Sequence, residues 1–277
     1  MENDFISIDK LNESYKKEYN EKIKKLKIPP NWTGVHISKN YSSKVQAYGF
    51  DSKKRKQYIY HPLWKMFSNN IKYSNNQNFN MDKLKKIIDK FKNYNDNSKI
   101  YVISNMLQIM IDLNIRVGNE IYLHDNDTIG LCTMYKSNLS NNKLIFKGKK
   151  GVIHEKILKT EHLKFIKNML KIPGEFLFQY NEKQSEKQSE NNAFNIISSN
   201  DINEFLKLHI DNNITTKDIR TYQANKIFID FIKKNKQNYT NDKKLQVACL
   251  KHVANELGNT PKVCKDSYID PNHLLIN

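Results

Sequence analysis

ELGNTPKVCKDSYIDP, residues 256–271, punctuates this chain more sharply than any other stretch. A helix-periodic run ends at about residue 256, and Gly258 follows it where a helix C-terminus favours a left-handed residue. Thr260 and Pro261 then read as an N-cap and the first residue of a new helix. A threonine hydroxyl accepts a free backbone N–H there, and proline lacks the N–H that would go unpaired. The spacing predicts one helix over about 242–256, a turn, and a short second helix carrying Tyr268 near its end. That place sets Tyr268 apart from the other tyrosines, of which the chain has 15 in all.

Working back from there, helices are expected at about 200–211 and 216–234. The second opens with TTKDIRTY (215–222). Thr215 or Thr216 caps it, which sets Lys217 and Arg220 on its first turn and a half. Two cations at the positive end of a helix dipole are unfavourable by themselves, and an anion would relieve them. A phosphate site is one reading; random surface charge is the other. Further back, KLIFKGKKGVIHEKI (143–157) has two short apolar arms around a Lys/Gly turn. It reads as a hairpin with Lys149 at its tip, either reaching into a groove or forming an ordinary basic turn. Helices at about 81–94, 98–113 and 160–170 complete this half, the second apolar enough to be a core helix. Arg116, in NIRVGNEIY, follows that core helix on a rigid mount, with Gly118 letting backbone come close to something. A surface salt bridge is the competing reading.

The N-terminal quarter has another texture. Residues 1–27 are charged, with Leu11, Tyr15 and Tyr19 at helical spacing. Pro29–Pro30 ends that helix. Short strands follow at Val35–Ile37, Lys44–Tyr48 and Gln57–Tyr60, the last two joined through the turn DSKKRK. Tyr58 and Tyr60 alternate with Gln57 and Ile59, so both rings face one side, in a groove-reading role or packed in a small sheet. Pro62 starts a helix to about Tyr73, and SNNQNFN (74–80) is a polar linker. The fold class is therefore α+β. A β-rich domain over 1–73 and the linker at 74–80 precede a mainly helical domain over 81–277. EKQSEKQS (182–189) is a tandem repeat, read as part of an exposed insertion over about 181–192.

Composition narrows the function. The chain has 277 residues, 38% of them hydrophobic, enough for a large domain plus a small one. No run of 18 apolar residues occurs, so no membrane span is expected. The N-terminus lacks the basic-then-apolar order of a signal peptide, so an intracellular, non-secreted protein is expected. Cys132, Cys249 and Cys264 are scattered and odd in number. They suggest neither a disulfide framework nor a zinc site, and no metal or cofactor is expected. Lys+Arg 46 against Asp+Glu 29 gives +17. Such an excess points to a polyanion, nucleic acid above all, although lysine- and asparagine-rich drift accounts for part of it. The only arginines are Arg55, Arg116 and Arg220. A chain this biased to lysine is expected to keep arginine where a planar fork must bind two phosphate oxygens.

In order and spacing these motifs resemble the type IB DNA topoisomerases, in particular the small forms of poxviruses, giant viruses and bacteria. The family pattern Arg–Lys–Arg–His/Asn–Tyr falls on Arg116, Lys149, Arg220, Asn259 and Tyr268. IPPNWTGVHIS (28–38) and KVQAYGFDSKKRKQYIYH (44–61) resemble the family's N-terminal region. The likeness runs from about residue 28 to the C-terminus, broken by the Asn-rich linker and the EKQS segment. The resemblance implies a C-shaped clamp on double-stranded DNA, working as a monomer without ATP or metal. Tyr268 would attack a phosphodiester and leave a 3′-phosphotyrosyl link. Arg116, Arg220 and Asn259 would stabilise the transition state, and Lys149 would protonate the departing 5′-oxygen. Lys217 would touch the same phosphate or relay a proton, with Arg55, Gln57, Tyr58, Tyr60 and Tyr122 as further DNA contacts. The expected place of action is a cytoplasmic replication site or virion for a viral source, and the nucleoid or cytoplasm for a bacterial one. Two departures stand out. Asn259 replaces the poxvirus histidine, and GKKG replaces GKD, which makes Lys150 a competitor of Lys149. A tyrosine recombinase and a non-catalytic basic DNA-binding protein are the alternatives. The recombinase usually has His-x-x-Arg, where this chain has Lys217-Asp-Ile-Arg220. Lys149 and Tyr268 are the two residues expected to be displaced in the absence of DNA.

Overall fold

The computed structural model describes residues 4–11, 13–77, 79–94, 96–181 and 194–275. The chain divides into two compact units, Met1–Tyr73 and Ser74–Asn277.

In the first unit an antiparallel meander runs β1 (Phe5–Ser7), β2 (Thr33–Ser38), β3 (Val45–Phe50), β4 (Lys56–Tyr60). The first of these strands has no counterpart in the sequence reading. Alternation along the strands gives the sheet two unlike faces. Ile37 pairs with Ala47, and Ala47 with Ile59. These residues bury against helix α1 (Glu13–Leu26) through Tyr19, Ile23 and Leu26. The opposite face carries His36, Tyr48, Tyr58 and Tyr60.

Helix α2 (Pro62–Gln77) starts at the proline as expected but continues through the first four residues of the supposed linker. Phe79 is buried, and Asn80 caps the next helix by accepting from the Lys83 N–H. The asparagines of SNNQNFN are thus mostly helix and cap, since Asn is a poor helix former inside a helix but a good one at its start.

The second unit begins with α3 (Met81–Phe91) and α4 (Lys99–Leu113). In α4 Val102, Ile103, Met106, Leu107, Ile109 and Met110 are all buried, so the helix is apolar nearly all round and sits inside the core. A short helix, α5 (Glu120–Asn126), follows the Arg116 segment. Next come β5 (Leu139–Ser140), β6 (Lys143–Lys147) and β7 (Ile153–Ile157), a three-stranded antiparallel sheet whose last two strands form the expected hairpin. Beyond α6 (Thr160–Met169), strands β8 (Gln179–Asn181) and β9 (Phe194–Ile196) pair with each other. The EKQS repeat between those two strands lies outside the described residues.

The chain then runs through α7 (Ser199–His209), α8 (Thr216–Asn235), α9 (Asp242–Leu257) and α10 (Pro261–Ser267). The last three pack a second core from Ala224, Phe228, Cys249, Val253, Leu257, Cys264 and Ile269. Gly258 ends α9 at φ +59, and the Thr260 hydroxyl accepts from the Val263 N–H. Among the described residues no helix is long and apolar enough to cross a membrane.

Candidate active site

Four side chains from three distant segments meet around the end of α9. The segment holding Arg116 is pinned first. Leu131 N–H donates to the Arg116 carbonyl (2.8 Å) and Cys132 N–H to that of Val117 (2.7 Å). Gly118, at φ +81, lies so close to Gly130 that a Cβ on the latter would fall 2.3 Å from the Gly118 Cα. The close approach that a glycine at 118 announced is therefore to another glycine, and it makes the arginine's mount rigid. The half-buried Arg116 then extends Nη2 to Asn259 Oδ1 at 2.5 Å.

Arg220 is 7% exposed. Its Nη1 donates to the Asn114 carbonyl at 2.7 Å and its Nη2 to the Leu257 carbonyl. Asn114 ends α4 in the left-handed region and Leu257 ends α9, so the guanidinium fastens two helix C-termini whose carbonyls have no partner within the helix. Burial first, and then the neighbouring Arg116, bring its pKa down to about 10 against the opposing pull of Tyr268. It remains a cation at neutral pH.

Tyr268 follows α10 directly. Its N–H donates to the Cys264 carbonyl (3.0 Å), and its own carbonyl accepts from Asn225 Nδ2 (2.9 Å). Asn225 Oδ1 in turn accepts from the Asp270 N–H at 2.8 Å. One buried amide on α8 thus grips the backbone on both sides of Ile269. No sequence reading found Asn225, because its partners lie 43 and 45 residues away. The Tyr268 ring centroid lies 5.6 Å from the Arg220 guanidinium carbon. Burial raises the phenol's pKa, but Arg220 and Arg116, which also hydrogen-bond it, outweigh that and leave it lowered. The expectation that Tyr268 is displaced without DNA is therefore not met: the two guanidiniums hold it in the cluster.

Among the described residues, three buried polar atoms here lack an oxygen or nitrogen partner, Arg220 Nε, Asn259 Nδ2 and Asn114 Oδ1, although the Asn259 amide also acts on the Cys264 thiol. Two are donors beside the phenol, and such a deficit in a native site calls for a ligand. Metal ligation is a separate matter. Asp112, Glu161 and His162 offer ligand atoms within 4.8 Å of one another, but Lys159 Nζ already lies 2.9 Å from the Asp112 carboxylate. That cluster braces α6 against α4.

The remaining candidates stand apart from these four. Lys149 is exposed at the hairpin tip and makes no hydrogen bond or ion pair with any described side chain. Lys150 beside it is left-handed, at φ +66. Lys217 is exposed although Arg220, one turn on, is buried. The start of α8 is also not the open anion site expected from its charges. Asp218 sits in its first turn, accepting from the Thr215 hydroxyl (2.6 Å) and N–H (2.9 Å), and Thr216 N–H donates to Asn203. The helix end is thus already supplied with a carboxylate.

On the N-terminal sheet Tyr58 and Tyr60 are each 45% exposed, their rings 6.2 Å apart. Tyr48 joins them from β3 (6.5 Å to Tyr58), and His36 stacks on Tyr48 at 4.8 Å. Lys56 Nζ lies 4.1 Å above the Tyr48 ring. Gln57 falls on the other side of the pleat from the tyrosines. Its amide and the Arg55 guanidinium both donate to the Asp51 carboxylate, at 3.0 and 2.7 Å. Tyr122 is 59% exposed on α5, next to Ile121 at 65%.

Two family models match the chain: "Eukaryotic DNA topoisomerase I, catalytic core" over residues 61–272, and "Bacterial DNA topoisomerase IB, N-terminal domain" over residues 8–51. DNA topoisomerase 1B of Acanthamoeba polyphaga mimivirus is 33% identical over 261 residues, covering 90% of this chain and 77% of the relative. DNA topoisomerase 1 of rabbit fibroma virus is 27% identical, covering 90% and 78%. DNA topoisomerase 1B of vaccinia virus (strain Copenhagen) is 26% identical, covering 90% and 79%.

Proposed function

We infer the division of labour in this site from one premise: the chain belongs to the type IB DNA topoisomerases. It binds DNA and relaxes supercoils by transient cleavage and religation of one strand, through a 3′-phosphotyrosyl intermediate and without ATP or metal. Membership sets aside both the recombinase and the non-catalytic reading.

Tyr268 is the nucleophile. The observation that carries this is the pair of guanidiniums on its phenol, which favour the phenolate against the cost of burial. Arg116, Arg220 and Asn259 bind the non-bridging oxygens of the phosphate, where negative charge grows in the transition state. Arg220 Nε supports this as a fixed donor without a partner, and the Asn259 amide nitrogen, which acts only on the weak acceptor of the Cys264 thiol, supports it next. Asn259 works by hydrogen bonding alone, as its amide has no charge at any pH. Lys149 is the general acid for the 5′-oxygen, reaching in from the hairpin tip once DNA is bound. Exchange of one phosphodiester for another is nearly isoenergetic, so the 5′-hydroxyl can reverse the step.

Tyr58 and Tyr60 are the DNA-reading residues of the sheet, with Arg55 and Gln57 at the start of the same strand. Tyr122 and Lys217 add contacts from the second unit. One tyrosine and one strand suffice for each cycle, so a monomer is a complete enzyme. Its site of action is wherever in the cell or virion its DNA is handled.

The test is relaxation of supercoiled plasmid in EDTA without ATP. Wild type is expected to relax it and to form a covalent protein–DNA adduct, whereas Tyr268→Phe does neither. Persistent relaxation by Tyr268→Phe would overturn the assignment of the nucleophile.

A further inference from the structure

The hairpin that bears Lys149 is joined to the turn that bears Asn259 through one side chain. His154, on β7, is 9% exposed. Its ring stacks on Phe146 of β6, centroids 5.0 Å apart and planes 18° from parallel. Its edges meet two glycines. A Cβ on Gly148 would lie 2.6 Å from the ring's Cδ2 and Nε2, and one on Gly258 would lie 2.1 Å from Cε1. Both distances are far inside van der Waals contact, so the imidazole bears directly on main chain at each edge. Gly148 is the residue before Lys149, and Gly258 the residue before Asn259. The same strand supplies a second tie: Lys156 Nζ donates to the Glu256 carbonyl, in the last turn of α9, at 3.2 Å. Beyond the hairpin neck, closed by Gly148 N–H to the Val152 carbonyl at 2.7 Å, the tip makes no hydrogen bond or ion pair with the other described residues.

We propose that His154 is a positioning residue for proton delivery: its ring, seated between Gly148 and Gly258, sets the distance between the Lys149 tip and the phosphate seat at Asn259. The inference rests on the reading of Lys149 as general acid. The ring is suited to the task because it adds no charge. Burial, followed by the cations of Lys156, Arg116 and Arg220, holds its pKa down to about 4. At neutral pH it is an uncharged spacer and does not compete with the phosphate for the cluster's positive field.

The step it serves balances as follows. A bond forms from Tyr268 Oη to phosphorus and the bond from phosphorus to the 5′-oxygen breaks. The phenol's proton goes to solvent. The departing oxygen takes a proton from the Lys149 ammonium, which recovers one from solvent. If sulfur replaces that bridging oxygen, it leaves as a thiolate and needs no proton.

That difference provides the test. Single-turnover cleavage is measured on duplexes with an ordinary or a 5′-bridging phosphorothiolate linkage at the scissile position, for wild type, Lys149→Ala and His154→Ala, with non-covalent DNA affinity measured in parallel. His154→Ala is expected to slow cleavage of the oxygen substrate by about 10- to 100-fold. On the sulfur substrate it is expected to stay within about threefold of wild type, because the proton is then superfluous. Lys149→Ala should show the same pattern more strongly. Equal losses on both substrates, or no loss on either, overturn the role of His154. Rescue of Lys149→Ala but not of His154→Ala sinks this inference alone; failure to rescue Lys149→Ala removes the general-acid reading and the inference with it. If circular dichroism shows His154→Ala misfolded, Lys156→Met, which cuts the second tie at a partly exposed side chain, is judged by the same criterion.

Discussion

The outer face of the N-terminal sheet and the cluster at the end of α9 both gather aromatic and cationic residues, but they hold them in opposite ways. On the sheet the rings are 45% exposed and rest on one another, with a lysine across them. At the cluster a guanidinium 7% exposed is tied to two carbonyls and a tyrosine is held at its backbone carbonyl by Asn225. Binding and catalysis impose different demands. A face that grips DNA gathers many small contributions, each completed by the ligand. A site that stabilises developing charge needs donors fixed before the charge appears, because reorganising them would consume the benefit.

The contrast is tested hardest at Arg220. Arg220→Ala removes a transition-state donor and the bolt between two helix ends. It is expected to cost about 3–4 kcal/mol of barrier, a fall of some hundreds-fold in cleavage rate. Since this cation helps to lower the Tyr268 pKa, its loss raises that pKa. The ascending limb of the cleavage–pH profile should therefore move to higher pH. An unmoved profile would detach the guanidinium from the phenol. Arg220→Lys should fail nearly as badly, as a single ammonium cannot serve both carbonyls and a phosphate.

Asn225→Ala comes next. It strips both backbone contacts around Ile269 and leaves a buried carbonyl and N–H unpaired, at a cost of about 1–3 kcal/mol in stability. Denaturant unfolding measures that cost. Single-turnover cleavage should fall as well, with DNA affinity unchanged. Smallest, on the sheet, is Tyr58→Ala or Tyr60→Ala. Each is expected to weaken non-covalent binding by about 1 kcal/mol and to leave religation of a preformed covalent complex untouched. A religation defect there would erase the distinction between the two regions.

Local chemistry was readable in the sequence. Gly258, Thr260 and Pro261 act within a turn of themselves, so the end of α9 and the start of α10 follow from residue types alone. The hairpin and the core helix α4 likewise declare themselves by periodicity. What stayed hidden depends on distant partners. Gly118 advertised a close approach but not that Gly130 would be the neighbour, and neither Asn225 nor His154 has any local signature. Lys217 and Arg220 look alike on a helical wheel. They part because the carbonyls of Asn114 and Leu257 await the arginine inside, while nothing inside awaits the lysine. The division between the two units does fall at the start of SNNQNFN, but α2 takes up Asn75 and Asn76 and Asn80 caps α3, so the described part of the stretch is mostly helix and cap.

Arg220's bond to the Leu257 carbonyl gives this enzyme a fuse. Leu257 is fully buried in the second core, so this bond holds for as long as that core stays packed. A molecule that loses the packing loses one hand of the guanidinium at the same moment. For a protein whose half-finished work is a broken DNA strand, a warmed copy that cannot start the cut is less dangerous than one that starts and then comes apart.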